Sequence, residues 1–229
     1  MKLVLFDIDG TLLRTDGAGR RAMEGALHAL FGTPGDPSYR YDGKTDRQIA
    51  REELRAAGVD DAVIAARMDD LLDVYVQRLA DELASDATAA NLCVGVPALL
   101  DALEQEPDVT LGLLTGNIER GARAKLRAVD IRFDRFRVNA FGCDHEHRPE
   151  LPAVAQRRAR EVLGHELMGH NLVIVGDTPA DIHCGRSLGV RAIGVATGRY
   201  TVADLTSHEP HAAFDTLEDT VAVISAMLD

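Results

Sequence analysis

Lysine is nearly missing from this sequence. Lys2, Lys44 and Lys125 are the three that occur, and the rest of a positive complement of 25 is arginine. Against 37 acidic residues this leaves a formal charge of −12. The chain therefore lacks the positive excess that draws a protein to nucleic acid or to an anionic membrane surface, and partners of both kinds are discounted. No apolar run approaches the length needed to span a bilayer. No basic segment followed by a long apolar one opens the chain, so no secretory signal is visible. Cysteine is also scarce. Cys93, Cys143 and Cys184 lie far apart, without metal-site spacing and without the even count of a disulfide framework. They are expected to be small buried apolar residues in a reducing compartment. Together these absences predict a cytoplasmic globular protein.

What is present fits one good-sized domain plus a smaller one: 229 residues, 46% of them hydrophobic. Short β-prone runs end abruptly at polar or glycine-containing turns. Leu3-Val4-Leu5-Phe6 runs into Asp7-Ile8-Asp9-Gly10-Thr11. Val109 to Leu114 runs into Thr115-Gly116-Asn117. Arg137 to Phe141, Leu172 to Val175 and Ala192 to Val195 behave alike. Helical patterns separate them: 97–104, 119–129 with Asn117 as its N-cap, 151–163, 179–188 and 216–228. Strands alternating with helices predict an α/β fold, a parallel sheet with helices on both faces. The stretch from Thr15 to Leu92 breaks this rhythm. It shows no strand, and Gly19 to Phe31, Asp46 to Ala57 and Asp60 to Asp86 read as amphipathic helices. Such a block is too long for an ordinary crossover. It is expected to be an inserted helical domain, 15–92, with the α/β core formed by 1–14 and 93–229.

Three polar clusters follow three candidate strands: Asp7/Asp9/Thr11, Thr115-Gly116-Asn117, and Gly176-Asp177-Thr178-Pro179-Ala180-Asp181. In a parallel sheet all three meet at one edge, where ligands of α/β proteins bind. Four carboxylates crowded there need a cation. Oxygen ligands with room for a phosphate suit Mg²⁺. Asp7 and Asp177 are the expected direct ligands, with the backbone carbonyl of Asp9, while Asp181 acts through water. Asp7 is placed to attack phosphorus and Asp9 to move a proton to or from the reacting oxygens. Thr115 and the backbone N–H groups of Gly116 and Asn117 are expected to hold phosphate oxygens. Thr11 braces the loop.

On these three motifs the chain resembles the haloacid dehalogenase-like superfamily, and within it the phosphoglycolate-phosphatase-like hydrolases. The resemblance implies a Rossmann-like core and a helical cap at 15–92, where Gly43-Lys44-Thr45-Asp46 is similar to a stretch common in such caps. It implies a Mg²⁺-dependent phosphatase acting on a small phosphorylated metabolite through an aspartyl-phosphate. Asp9 argues against the dehalogenases, which do not keep an acid there. A phosphomutase keeps both aspartates and stays open as an alternative, as does a non-catalytic binding protein on the same fold. The family usually has a lysine shortly before its last motif, and none of the three lysines falls there. Arg148-Pro149 stands in roughly that place, so Arg148 is the expected substitute, ahead of Arg157 and Arg158. Arg20, Arg21, Lys44 and Arg47 in the cap either meet an anionic substrate or form a solvated face. His145, His147, His165 and His170 read as ordinary surface residues.

Overall fold

The computed structural model describes residues 1–85, 90–164 and 166–229. His165, and Asp86 at the expected end of the third cap helix, lie outside the described residues. The chain runs β1 (Lys2–Phe6), β2 (Leu13–Arg14), α1 (Ala18–Phe31), α2 (Asp46–Ala56), α3 (Asp61–Ala84), β3 (Asn91–Leu92), α4 (Val96–Gln105), β4 (Val109–Leu114), α5 (Glu119–Ala128), β5 (Val138–Ala140), α6 (Leu151–Leu163), β6 (Leu172–Gly176), α7 (Pro179–Cys184), β7 (Arg191–Val195), α8 (Val202–Thr206), β8 (Ala212–Phe214) and α9 (Thr220–Leu228).

Six strands form one sheet in the order β5-β4-β1-β6-β7-β8, all parallel. Side chains alternate across it. Val4, Phe6, Leu111, Leu113, Val173 and Val175 join the core beneath α4, α5 and α9. Leu3, Leu5, Leu114, Leu172 and Ile174 join the opposite core with α6 and α7. Both faces are thus covered, and the central strands are apolar along their length, as a buried parallel sheet requires. Gly112 has no room for a side chain, because a Cβ there would stand 2.0 Å from the Val138 carbonyl oxygen.

Helices α1, α2 and α3 bury a separate apolar cluster of their own, including Met23, Leu27, Leu54, Ile64, Met68 and Tyr75. Their ends match the amphipathic pattern closely: α2 starts behind Thr45, whose hydroxyl accepts the Gln48 N–H, and α3 behind Asp60, which accepts the Ala62 N–H.

Several features depart from the sequence-based expectation. Val202–Thr206 forms a short helix, and α7 ends at Cys184 rather than at 188. Ala212–Phe214 adds an edge strand, too short and too half-buried to show a period. Asn91–Leu92, inside the stretch expected to be strandless, pairs antiparallel with Leu13–Arg14. Two residues per strand leave no pattern to read. Finally, Asn117 does not cap α5. Ile118 holds the cap position without a side-chain bond, and the carboxylate of Asp46 takes the Ile118 N–H instead.

Candidate active site

The three polar clusters stand at the ends of the three neighbouring central strands, β4, β1 and β6. They open on a cavity of about 600 Å³ lined by Asp7, Asp9, Thr115, Gly116, Asn117, Arg148 and Asp177 from the sheet side. Arg20, Tyr39, Lys44 and Tyr75 line it from the helical block. The loop carrying Lys44 is laid directly over the sheet edge. The Asp46 N–H donates to the Gly116 carbonyl at 2.8 Å, and the Thr45 hydroxyl donates to the Glu146 carbonyl at 2.6 Å.

Asp7 is buried, and its carboxylate faces Arg148 at 3.3 Å. Burial pushes the Asp7 carboxyl up to about 6, against the pull of Arg148, with Asp181 and Asp9 adding to the rise. The Thr115 side chain works the other way, favouring the charged form of Asp7. Asp177 is buried too, and burial together with Asp181 and Asp7 drives its carboxyl well above the ordinary range. Thr11 donates to Asp177 at 3.3 Å. Two glycines give that carboxylate its space. A Cβ on Gly10, whose φ is +78°, would stand 2.4 Å from an Asp177 oxygen, and one on Gly198 only 1.7 Å from it.

Asp7, Asp177 and Asp181 can each bring a carboxylate oxygen within 4.8 Å of the others. Asp181 is already committed. One of its oxygens takes the Thr178 N–H at 3.0 Å and hydroxyl at 2.6 Å, closing a capping box on α7, and the other takes Arg148. Asp7 and Asp177 are buried acids with raised proton affinity and no comparable set of donors. A hard divalent cation fits that pair, since it would replace the competing protons with an oxygen-loving charge.

Arg148 is buried between two carboxylates, donating to Asp181 and pairing with Asp7, with the Leu114 carbonyl 3.4 Å away. Burial opposes its charge, but Asp181 and Asp7 outweigh this and raise its proton affinity. Its Nε is buried without a partner among the described residues. Arg158 is turned elsewhere, onto Asp144 at 2.6 and 2.7 Å, and Arg157 is exposed and outside the cavity.

The Asn117 side chain does not face the cavity free. Its amide donates to Asp9 at 2.7 Å and to the Thr115 hydroxyl at 2.8 Å. Asp9 also receives a residue that the sequence reading passed over. Lys125, buried on α5, reaches both Asp9 oxygens at 2.8 and 2.6 Å and the Asn117 carbonyl oxygen at 2.6 Å. A signal was there: Ala122, Lys125 and Leu126 recur at helical spacing from Ile118, which puts a lysine on the apolar face of α5.

Of the cations in the helical block, Arg20 pairs with Glu24 and lies over the Tyr41 ring, and Lys44 pairs with Glu52. Arg21 pairs with Glu82 and Arg47 with Asp69, and neither lines this cavity. His145 and His147 are exposed, their rings tilted at 49° to each other with centroids 5.8 Å apart. Cys93 and Cys184 are buried as expected, but Cys143 is exposed, because it follows Gly142 in the turn after β5. No helix among the described residues is long and apolar enough to cross a membrane.

The sequence from residue 4 to residue 186 matches the haloacid dehalogenase-like hydrolase family. Over 239 aligned residues the chain is 26% identical to "Probable phosphatase IndB" of Dickeya dadantii (strain 3937), covering 99% of this chain and 94% of that protein. The fold is shared with a hydrolase from Pseudomonas syringae, at a TM-score of 0.71 and 17% identity over 98% of each chain. It is shared also with a predicted phosphoglycolate phosphatase from Haemophilus somnus 129pt, at a TM-score of 0.67 and 19% identity over 98% of each chain.

Proposed function

The chain belongs to the haloacid dehalogenase-like hydrolase family, and on that premise we propose that it is a phosphatase that releases phosphate from a small phosphomonoester through Asp7. The observation that carries this reading is the second carboxylate. Asp9 opens onto the same cavity as Asp7, its side chain 45% exposed, where a reacting oxygen can reach it.

The buried Asp7 carboxylate, steered by Arg148 and the Thr115 hydroxyl, attacks phosphorus and forms an aspartyl-phosphate. Asp9 gives a proton to the leaving alkoxide and then takes one from the water that cleaves the acyl phosphate. Arg148 offsets the charge gathering on the phosphoryl oxygens. The Gly116 N–H, which has no partner among the described residues, would donate to a phosphoryl oxygen. Asp7, Asp177 and the carbonyl of Asp9 would hold Mg²⁺, with Asp181 behind them, and the ion would supply charge neutralisation at the phosphate. Residues of the 15–92 cap, laid over the sheet edge at Thr45 and Asp46, shield the reaction from bulk water.

The test is a phosphate-release screen of the purified chain with Mg²⁺ over a panel of phosphorylated metabolites. Release from at least one, abolished by chelation, is the expected result. An isomerised sugar phosphate without free phosphate would assign the chain to the phosphomutases. Tight ligand binding without turnover would make it a binding protein.

A further inference from the structure

Lys125 sits where folding alone gives no reason for it. It is one of three lysines in the chain, its side chain is 5% exposed, and it occupies the apolar face of α5 between Ala122 and Leu126. A leucine or methionine there would pack without desolvating a charge, and buried ion pairs seldom improve on such replacements. All three donors of the ammonium are nonetheless used, two on Asp9 and one on Asn117. Asn117 in turn donates to Asp9, so the three side chains form a closed ring in which each is bonded to the other two. The helical block leaves space for this ring. A Cβ on Gly19 of α1 would stand 3.3 Å from the ammonium nitrogen.

We infer that Lys125 is a positioning residue of the phosphatase reaction, fixing the Asp9 carboxyl group in the orientation from which it exchanges a proton with substrate oxygen. The inference rests on the phosphatase reading above. A half-exposed aspartate has two free torsions. Three bonds from two buried groups remove that freedom before substrate arrives, and a site held this way loses heavily when its support is cut. Arg148 attends Asp7 and Lys125 attends Asp9, so each reacting carboxylate has its own cation, delivered from a different element.

The experiment is a double-mutant cycle, Lys125→Met with Asp9→Ala, read as kcat/KM on two esters in the Mg²⁺-loaded enzyme. One is an alkyl phosphate, whose leaving oxygen needs a proton. The other is 4-nitrophenyl phosphate, whose leaving group does not. Because kcat/KM covers steps only up to aspartyl-phosphate formation, it isolates the proton donation. Lys125→Met is expected to cost about 100-fold on the alkyl ester and under about tenfold on the aryl ester. In the Asp9→Ala background it should cost nothing further. Lys125→Arg should recover part of the alkyl-ester rate, and it serves as the folded variant if Lys125→Met does not purify. Equal losses on both esters, or an undiminished loss without Asp9, would overturn the inference and leave Lys125 a structural residue. A wild-type chain inert toward both esters and the whole metabolite panel would overturn the phosphatase reading instead.

Discussion

Asp46 caps a helix to which it does not belong. It is the first residue of α2, yet its carboxylate accepts the Ile118 N–H at the start of α5, at 2.8 Å. Its own N–H donates to the Gly116 carbonyl, and the Tyr75 hydroxyl lies 3.5 Å from the same side chain. Burial pushes this carboxyl up to about 6 despite the nearby Lys125. Asp46→Ala strips the buried Ile118 N–H of its acceptor, and should cost about 1–3 kcal/mol in denaturant unfolding at pH 7. Asp46→Asn keeps an acceptor oxygen and sheds the desolvated charge, so it should cost clearly less. Equal costs would show that the bond to Ile118 contributes nothing.

Asp7→Asn keeps the shape of the side chain and removes the proposed nucleophile. Phosphate release should fall at least about 1,000-fold, with the circular dichroism spectrum unchanged. Residual activity within tenfold of wild type would exclude Asp7 from that role.

Arg148→Met breaks a buried pairing with Asp7 and Asp181 and leaves two carboxylates without their cation. Unfolding free energy should fall by about 3–5 kcal/mol. Arg148→Lys keeps the charge but not the fork that reaches both partners, and should fall between the two. The check is chemical denaturation of all three proteins side by side.

The raised carboxyls of Asp7 and Asp177 couple metal affinity to pH. A folded-state value above the unfolded one means that the folded chain holds a proton the unfolded chain has lost. For Asp7 the stabilisation this gives is complete below the unfolded value of 3.8 and disappears as pH rises through about 6. With chelator present, the contribution of Asp7 should therefore lower Tm from pH 5 to pH 7. Mg²⁺ competes with the same protons, so its affinity should weaken as pH falls, by about tenfold per pH unit for each proton displaced. Calorimetric titration at several pH values reads this directly, and an affinity constant from pH 5 to 7 would rule out these carboxylates as ligands.

Gly198→Ala places a methyl group 1.7 Å from an Asp177 oxygen. The carboxylate must turn away, so the Mg²⁺ concentration for half-maximal activity should rise about tenfold or more. A change within twofold would mean that Asp177 does not ligate the metal.

The sheet was legible because its central strands are short, apolar and stopped by Asp or Thr-Gly, which is a pattern of composition and can be read locally. The meeting of Asp7, Thr115 and Asp177 at one edge followed from parallel order alone. Arg148 was visible as Arg-Pro ahead of a helix. Other parts depended on geometry between elements. Lys125 looks like any helical lysine until the face of α5 is worked out. The cap on Ile118 comes from a residue 72 positions away, which no N-cap rule searches. A strand–turn–helix sequence offers Asn117 the place of that cap, but its carbonyl oxygen accepts from Lys125 instead while its amide nitrogen donates to Asp9.

The pairing of Leu13 with Leu92 and Arg14 with Asn91 brings both ends of the helical block to adjacent points on one short ladder. Topologically the block is a long loop closed at its stem. An exchange cut at these two positions would transplant or delete it without severing any strand of the six-stranded sheet. A replacement block joined at this stem would have to supply the acceptor that Asp46 gives the Ile118 N–H, which makes the stem a natural joint for engineering hybrid enzymes and Asp46 the contact to carry across.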